Sequence, residues 1–217
     1  MTRILHTLAL AALILLTVLS LDVRLAQVLA DAQADCNKGS GDTAIRGCTR
    51  IIKSRRLYGK PISQKNLAII HYNRGIEYAN KRDYDLAIAD YSKAINLNPA
   101  YASAYNNRGN VYKNKLQYDR AISDYDKAIK LEPKHVFAHN GRGNAYKAKG
   151  QYDRAIADYN KALKLIPKSA SPYGNRGLIF EELEQRDKAI ADFRKAVKLR
   201  SGDRVGTSGL KRLDATH

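Results

Sequence analysis

The sequence repeats itself with a period of 34 residues, and this repetition constrains the fold more than any other feature. A glycine and an aromatic residue three positions later mark the first half of each unit: Gly75 and Tyr78, Gly109 and Tyr112, Gly143 and Tyr146, Gly177 and Phe180. An alanine, an aromatic residue and a second alanine mark the second half: Ala87, Tyr91 and Ala94; Ala121, Tyr125 and Ala128; Ala155, Tyr159 and Ala162; Ala189, Phe193 and Ala196. Short units of this kind bury their apolar residues by stacking on their neighbours. The repetition therefore predicts an array of four units.

The spacing inside each unit predicts two helices. The glycine and the first aromatic residue lie one helical turn apart, and the residues of the second half fall at i, i+4 and i+7 on one stripe. A polar turn such as residues 81–83 separates the two halves. A proline ends the second helix of the first three units: Pro99, Pro133 and Pro167.

These positions resemble the tetratricopeptide repeat, in which G-x-x-Y, A-x-x-x-F and a closing proline recur at this period. The resemblance predicts an all-α, right-handed solenoid of helical hairpins with four repeats, 68–101, 102–135, 136–169 and 170–203. One departure places His71, Tyr105, His139 and Tyr173 where the family prefers tryptophan. Another places Arg74, Arg108, Arg142 and Arg176 where the family prefers leucine. We expect these departures to change packing detail and not the fold.

The segment 35–67 predicts an N-terminal cap and linker. Ala44, Cys48 and Ile51 repeat the spacing of the second-helix stripe, so residues 42–52 are predicted to form half a repeat. Ser63 is expected to cap the helix that follows the linker.

The segment 204–217 predicts a C-terminal capping helix and tail. Ser201 replaces the closing proline of the last unit, so the chain can continue into another helix. We expect Val205, Leu210 and Leu213 to cover the exposed end of the array.

The sequence of residues 1–34 is typical of a signal peptide or a signal anchor. Arg3 gives a positive start, and Ile4 to Leu21 is mostly apolar, as in a signal-peptide core. Two segments that end at Ala30 and Ala34, residues 28–30 and 32–34, have the small-residue spacing that a signal peptidase requires. Without cleavage, the apolar run is long enough to stay in the membrane. In both cases we expect the repeats in an extracytoplasmic space, periplasmic or secreted, with membrane contact only through an uncleaved leader.

The two cysteines, Cys36 and Cys48, are expected to form a disulfide, because an exported protein folds in an oxidising compartment. Closing so short a loop stabilises the fold by about 3 kcal/mol, mainly by restricting the unfolded chain. A metal site needs more ligands, and a redox pair needs a C-x-x-C spacing. The sequence has neither.

The resemblance also indicates where a ligand binds, because the first helices of successive tetratricopeptide hairpins line a concave groove. The residues around the repeated glycines are rich in asparagine and include two lysines: Asn73, Asn106, Asn107, Asn110, Lys113, Asn140, Asn144, Lys147 and Asn175. An amide donates and accepts hydrogen bonds, so a row of asparagines can hold the backbone of an extended peptide. The alternative is that these asparagines satisfy neighbouring backbone groups.

Charges near the same helices predict a direction for the ligand. Lys113 and Lys147 border the groove in the second and third repeats, whereas Glu181 and Glu182 occupy this region in the fourth. We therefore expect a groove that changes from basic to acidic along its length.

The whole chain is strongly basic, with 38 Lys and Arg, 21 Asp and Glu, and a formal net charge of +17. This surplus favours anionic partners, and the alternative is that it only keeps the protein soluble. On the second helices, aspartates are expected to pair with lysines three residues later on a solvated face: Asp90 with Lys93, Asp124 with Lys127, Asp158 with Lys161, and Asp192 with Lys195. Further lysines, Lys130, Lys164 and Lys198, extend a basic stripe. This stripe supports an alternative function, electrostatic binding of an anionic polymer or a membrane surface.

The sequence favours a non-enzymatic scaffold that binds an extended peptide or a partner helix in the groove, with acidic ligands favoured by charge. It contains no nucleophile elbow, phosphate-binding loop or metal-ligand set, so no catalytic residue, metal or cofactor is expected. His71, His135 and His139 occupy repeat positions, and we expect them to be structural. Nucleic acid is not an expected partner, because export separates it from the protein and no base-reading motif is present.

One function known in the family, capture of a chaperone's C-terminal carboxylate, is also not expected. That clamp uses a lysine and an asparagine in one repeat, an asparagine in the next, and a lysine and an arginine in a third. Counted from the first repeat, Tyr72 and Ile76 replace the first two residues. Counted from the second, Gly141, Ser171 and Asn175 miss three later requirements.

Overall fold

The computed structural model describes residues 27–57 and 60–214. They belong to two compact units, one ending at Pro99 and the other beginning at Ala100. The apolar run from Ile4 to Leu21, which predicts a signal peptide or anchor, lies outside the described residues. Within the described ranges, no helix combines the length and the apolar character needed to span a bilayer.

The first unit contains an N-terminal cap and one hairpin. Its elements are α1 (27–38), α2 (Gly41–Ser54), β1 (Arg56–Leu57), β2 (Lys60–Pro61), α3 (Gln64–Asn80) and α4 (Tyr84–Leu97). The two short strands pair in an antiparallel ladder within the segment that the sequence identifies as a linker. As predicted, Ser63 caps α3, because its hydroxyl accepts a hydrogen bond from the Asn66 backbone N–H at 3.2 Å.

The cap is held together by the predicted disulfide. Cys36 in α1 is bonded to Cys48 in α2, with their Cα atoms 4.7 Å apart. Helix α1 crosses the predicted domain boundary at residue 34, and its Ala32 is fully buried. A Cβ atom at Gly47 of α2 would lie 2.6 Å from the Ala32 carbonyl oxygen, so the two helices touch backbone to backbone at this point. The residues before Asp35 therefore contribute to the packing of the cap.

The second unit contains three hairpins and a final helix. Its elements are α5 (Ala102–Asn114), α6 (Tyr118–Leu131), α7 (Val136–Ala148), α8 (Tyr152–Leu165), α9 (Ala170–Glu182), α10 (Arg186–Leu199) and α11 (Arg204–Asp214). The first helices of neighbouring hairpins contact each other, α5 with α7 and α7 with α9, and α11 packs on α10 and α9. The predicted all-α class and the solenoid of stacked helical hairpins are confirmed.

The repeated glycine accepts an aromatic ring of its own hairpin. In the third hairpin, a Cβ atom at Gly143 would lie 2.8 Å from the ring of Tyr159, and Tyr159 is fully buried. The corresponding rings contact the glycines of the other hairpins in the same way: Tyr91 at Gly75, Tyr125 at Gly109 and Phe193 at Gly177. Since only hydrogen leaves room for the ring, the glycine recurs in every unit.

The aromatic ring also needs space in the hairpin that follows. A Cβ atom at Gly141 of α7 would lie 2.7 Å from the Tyr125 ring, so Tyr125 is enclosed by glycines of two hairpins. In the last hairpin, Gly209 of α11 stands at the equivalent place, where a Cβ atom would lie 2.4 Å from the Phe193 ring. Helix α11 therefore replaces the first helix of a fifth repeat.

The contact surface of α11 differs from the expectation. Its buried residues are Gly206 and Gly209, whereas Val205, Leu210 and Leu213 remain partly exposed. The reason is that the Phe193 ring and the α10 backbone approach α11 so closely that only glycine fits at positions 206 and 209, while Val205 packs beside Gly174 of α9. Asp203 starts the helix, because its Oδ2 accepts a hydrogen bond from the Gly206 N–H at 2.8 Å.

Candidate functional site

The predicted groove residues lie on the first helices of the hairpins. Asn73 lies on α3 in the first unit, and the others lie on α5, α7 and α9 in the second. On α5, Asn106, Asn110 and Lys113 are spaced i, i+4 and i+7 and share one face. The same spacing on α7 brings Asn140, Asn144 and Lys147 onto one face. Because α5 and α7 are in contact, these two faces are neighbours.

Two of the asparagines have an internal partner. The Oδ1 atom of Asn110 accepts a hydrogen bond from the Tyr125 hydroxyl at 2.7 Å, and Asn144 accepts one from Tyr159 at 2.7 Å. Burial, followed by the nearby Asp124 charge, raises the pKa of the Tyr125 hydroxyl, so this group remains a donor. Each of these amides therefore also joins the two helices of its hairpin.

The carbonyl oxygens of two other groove asparagines lack a donor. Asn106 is 5% exposed, and its Nδ2 donates to the Asn107 Oδ1 at 3.0 Å. The Oδ1 atoms of Asn106 and Asn140 are buried without a hydrogen-bond partner among the described residues. An unpaired buried acceptor costs about 1–3 kcal/mol, so rotation of either amide toward the groove, where a ligand N–H can reach its oxygen, is favoured on binding.

The two groove lysines are partly buried cations. The side chains of Lys113 and Lys147 form no ion pair or hydrogen bond within the described part of the chain. Burial lowers the pKa of the Lys113 ammonium. Burial also lowers the pKa of Lys147, although the nearby Glu182 charge opposes this effect. A partly desolvated, unpaired cation favours the approach of an anionic group.

The acidic end of the groove is partly neutralised. Both carboxylate oxygens of Glu181 accept hydrogen bonds from Arg212 of α11, at 2.8 and 2.6 Å. Glu182 is exposed, and its negative charge acts to raise the pKa of Lys147. The expected change from basic to acidic therefore depends on Glu182. The remaining groove residue of α9, Asn175, donates weakly to the Ser171 hydroxyl at 3.4 Å.

The prediction that each second-helix aspartate pairs with a lysine three residues later is wrong. Asp158 is 5% exposed and accepts two hydrogen bonds from Arg142, from Nε at 2.8 Å and from Nη2 at 2.7 Å. The other hairpins repeat this pair at 2.7–2.8 Å: Arg74 with Asp90, Arg108 with Asp124, and Arg176 with Asp192. The aspartates face the first helix, where the arginines replace the leucine that the family prefers. The lysines at i+3 point to solvent.

The same arginines link successive elements. Arg142 also donates to Asp126 of the preceding hairpin at 2.5 Å, and Arg176 donates to Asn160, which is the equivalent residue one repeat later. The guanidinium of Arg142 lies 5.9 Å from the centre of the Tyr146 ring. These arginines are therefore structural, and on α5 and α7 they leave Lys113 and Lys147 as the lysine and arginine side chains available to a ligand.

The repeat histidines have the expected structural roles. The Nδ1 atom of His71 lies 2.8 Å from the Asp90 carboxylate, and the Nε2 atom of His139 lies 3.0 Å from the Pro133 carbonyl oxygen. His135 caps α7 by accepting a hydrogen bond from the Ala138 N–H at 3.2 Å. Among the described residues, no three His, Cys, Asp or Glu side chains are grouped to hold a metal ion.

Comparison with protein families supports the hairpin architecture directly. A family model described as TPR repeat matches residues 75–115 and 143–184, and models described as tetratricopeptide repeat match residues 102–135, 124–157 and 170–203. The chain belongs to the tetratricopeptide repeat (TPR) proteins. TPR proteins are typically non-enzymatic scaffolds. No curated protein matches this TPR sequence as a relative.

Solved structures extend this comparison. The crystal structure of MamA is 25% identical with a TM-score of 0.67, and the match covers 78% of this chain and 94% of MamA. The TPR domain of Arabidopsis OM64 is 27% identical with a TM-score of 0.52, covering 54% of this chain and 96% of that domain. The first TPR domain of Spaghetti (RPAP3), bound to the HSP90 peptide SRMEEVD, is 28% identical with a TM-score of 0.54. The match covers 57% of this chain and 96% of that one.

Proposed function

We propose that this TPR protein is a scaffold that binds an extended peptide segment of a partner protein across α5 and α7. The observation that carries the proposal is the repeated pairing of an unpartnered acceptor with an unpaired cation. Asn106 and Lys113 form this pair on α5, and Asn140 and Lys147 form it on α7. An extended peptide offers free backbone N–H donors, whereas the backbone donors of a partner helix are used internally. The groove chemistry therefore favours an extended ligand.

The Spaghetti complex supports a peptide ligand. That protein has the same fold and is 28% identical, and it was solved with a peptide that contains two glutamates and an aspartate. The positions of the chaperone-tail clamp are not filled in this chain, since Tyr72 and Ile76 stand at the first two. The proposal is therefore a peptide ligand with its own binding positions on α5 and α7.

We further propose that the protein works outside the cytoplasm. The Cys36–Cys48 disulfide supports this location, because such bonds persist in oxidising compartments. The leader-like composition of residues 1–34 supports it independently.

A second candidate is electrostatic binding of an anionic polymer or membrane surface by the second helices. It is supported by Lys130, Lys164 and Lys198, which are exposed on α6, α8 and α10. This mode neutralises many phosphates or headgroups, so its affinity falls steeply as salt rises.

Lysine footprinting separates the two functions with controls inside the chain. Peptides are selected from a random library on the full chain, and lysine acetylation is then quantified by mass spectrometry with and without bound peptide. Peptide binding on the first helices predicts protection of Lys113 and Lys147, with Lys130 and Lys164 unchanged. Protection of Lys130 and Lys164 alone, or failure to select any peptide, would refute the proposed function.

A further inference from the structure

We infer that Lys113 and Lys147 form a two-point carboxylate site that selects peptides with two acidic side chains a few residues apart. This inference rests on the proposed function and adds the chemistry of the ligand.

The burial of the two lysines is the first argument. Both side chains are partly removed from water, and neither has a carboxylate partner within the described residues. The other cations on these helices, Arg108 and Arg142, are each paired with a buried aspartate. An unpaired cation in a partly desolvated place is unfavourable until an anion neutralises it. Within the described part of the chain, the two lysines therefore have no direct counter-ion, and an acidic ligand supplies one.

The distance between the lysines is the second argument. They occupy equivalent positions on two first helices in contact, and packed helices lie about 8–10 Å apart. An extended peptide rises about 3.3 Å per residue, and its alternate side chains lie on the same face, so acidic side chains two positions apart leave that face about 6.6 Å from each other. The flexible lysine side chains cover the remaining distance. A chain terminus without an acidic side chain supplies a single carboxylate and therefore matches only one of the lysines. The spacing points to acidic side chains.

The neighbouring amides fix how such a peptide lies. Asn106 precedes Lys113 by two helical turns on the same face, and Asn140 precedes Lys147 in the same way. Their free Oδ1 atoms accept backbone N–H groups, which leaves the acidic side chains to reach the lysines. Each hairpin therefore offers one backbone contact and one carboxylate contact.

The two lysines differ in their surroundings. The Glu182 carboxylate interacts electrostatically with Lys147, whereas among the described groups no carboxylate shifts the pKa of Lys113. Glu182 competes with the ligand at Lys147. We therefore expect the carboxylate at Lys113 to contribute more to binding than the one at Lys147.

The test uses degenerate ten-residue peptide pools on the full chain. One pool has glutamates fixed at two positions two apart and an amidated terminus, and a second has glutamines at the same positions. A third has glutamines and a free terminal carboxylate. The protein variants are Lys113→Met, Lys147→Met, both together, and the charge-matched control Lys130→Met/Lys164→Met. Circular dichroism confirms that each variant is folded, and retention of each pool is measured at fixed salt.

We expect the glutamate pool to be retained on the order of tenfold or more over the glutamine pool. This preference should disappear in Lys113→Met/Lys147→Met, persist in the control, and fall more in Lys113→Met than in Lys147→Met. Equal retention of the glutamate and glutamine pools, an equal loss in the control, or retention of the free-terminus pool at the level of the glutamate pool would overturn the carboxylate site. If the glutamate and glutamine pools are retained equally but both still protect Lys113 and Lys147 from acetylation, the proposed peptide function survives and only the two-point site fails.

Discussion

Replacing Arg142 by leucine, the residue that the family prefers at this position, should destabilise the protein severely. Arg142 donates two hydrogen bonds to Asp158 and one to Asp126. The Asp158 side chain is only 7% exposed, so water cannot replace the lost guanidinium. His139 is the remaining partner of Asp158, at 3.4 Å. The variant therefore leaves a buried carboxylate with one weak contact.

Removing one partner of a buried ion pair costs about 3–5 kcal/mol. We expect a loss of this size for Arg142→Leu in the free energy of unfolding, and a smaller loss of about 1–2 kcal/mol for Arg142→Lys, which keeps the charge but not the two-point geometry. The double variant Arg142→Leu/Asp158→Leu should return to within about 1 kcal/mol of the wild type, since apolar side chains replace such pairs at little cost. The control is Lys161→Ala, which removes an exposed lysine and should cost at most about 0.5 kcal/mol.

Urea denaturation followed by far-ultraviolet circular dichroism measures these differences. If Lys161→Ala costs as much as Arg142→Leu, or if the double variant is no more stable than Arg142→Leu, the arginine–aspartate pair does not stabilise the hairpin as the structure indicates. Arg142→Lys keeps the comparison possible should Arg142→Leu fail to fold.

The dependence on pH gives an independent check of the same pair. Burial by itself raises the pKa of the Asp158 carboxyl, but hydrogen bonds from Arg142 and His139 outweigh it and hold the pKa below its ordinary value of 3.8. A carboxyl with a depressed pKa stabilises the fold above its ordinary pKa, and the contribution is lost as the pH falls through the depressed value. The stability difference between wild type and Arg142→Leu should therefore shrink on acidification. The decrease should begin above pH 3.8, because the buried Asp158 of the variant takes up a proton more readily, and should end at the depressed pKa of the wild type. A constant difference down to strongly acidic pH would contradict the assignment.

Three further predictions test other parts of the structure. Asn110→Leu leaves the buried Tyr125 hydroxyl unpaired and should cost about 1–3 kcal/mol in urea denaturation, whereas Asn110→Leu/Tyr125→Phe should recover most of this loss; no recovery would exclude the hydrogen bond as the cause. Leu116 has a φ of 59° and is 69% exposed, so Leu116→Gly should raise the melting temperature, and a fall would contradict the strain. A variant that begins at Asp35 should have a free energy of unfolding about 2 kcal/mol lower than a variant that begins at Gln27, because fully buried Ala32 and its neighbours are lost. Equal stability of the two variants would show that residues 27–34 are dispensable.

The repeated hairpins could be predicted from the sequence because their signal is local. Gly143 and Tyr159 recur with their equivalents in every unit, and helical spacing places each on a defined face. The disulfide and the Ser63 cap were predictable for the same reason, since each depends on a short stretch of chain and a known preference.

The polar contacts between helices could not be predicted in the same way. Asp158 has Lys161 three residues later on its own helix, whereas its true partner, Arg142, lies 16 residues earlier on another helix. The signal was present, because an arginine replaces leucine and an aspartate recurs in all four hairpins. Choosing between the two partners requires knowing which side of the second helix is buried.

The sequence predicts which helices carry the proposed groove residues, but not the internal hydrogen bonds that two of these residues make. Asn110 and Asn144 share the helix face with Lys113 and Lys147, yet their oxygens are occupied by tyrosine hydroxyls. The fourth hairpin supplies the clue, since Leu178 and Phe193 stand at the positions of Asn110 and Tyr125. In the last three hairpins an amide accompanies a tyrosine and is absent beside a phenylalanine, whereas the first hairpin departs from this pattern with Ile76 and Tyr91.

The measurement that tests the central claim most directly is a structure of the full chain with a selected glutamate-containing peptide. The account predicts an extended peptide across α5 and α7, with backbone N–H groups donating to the Oδ1 atoms of Asn106 and Asn140 and carboxylates in ion pairs with Lys113 and Lys147. A peptide bound on α6, α8 and α10, with these four side chains unchanged, would contradict it.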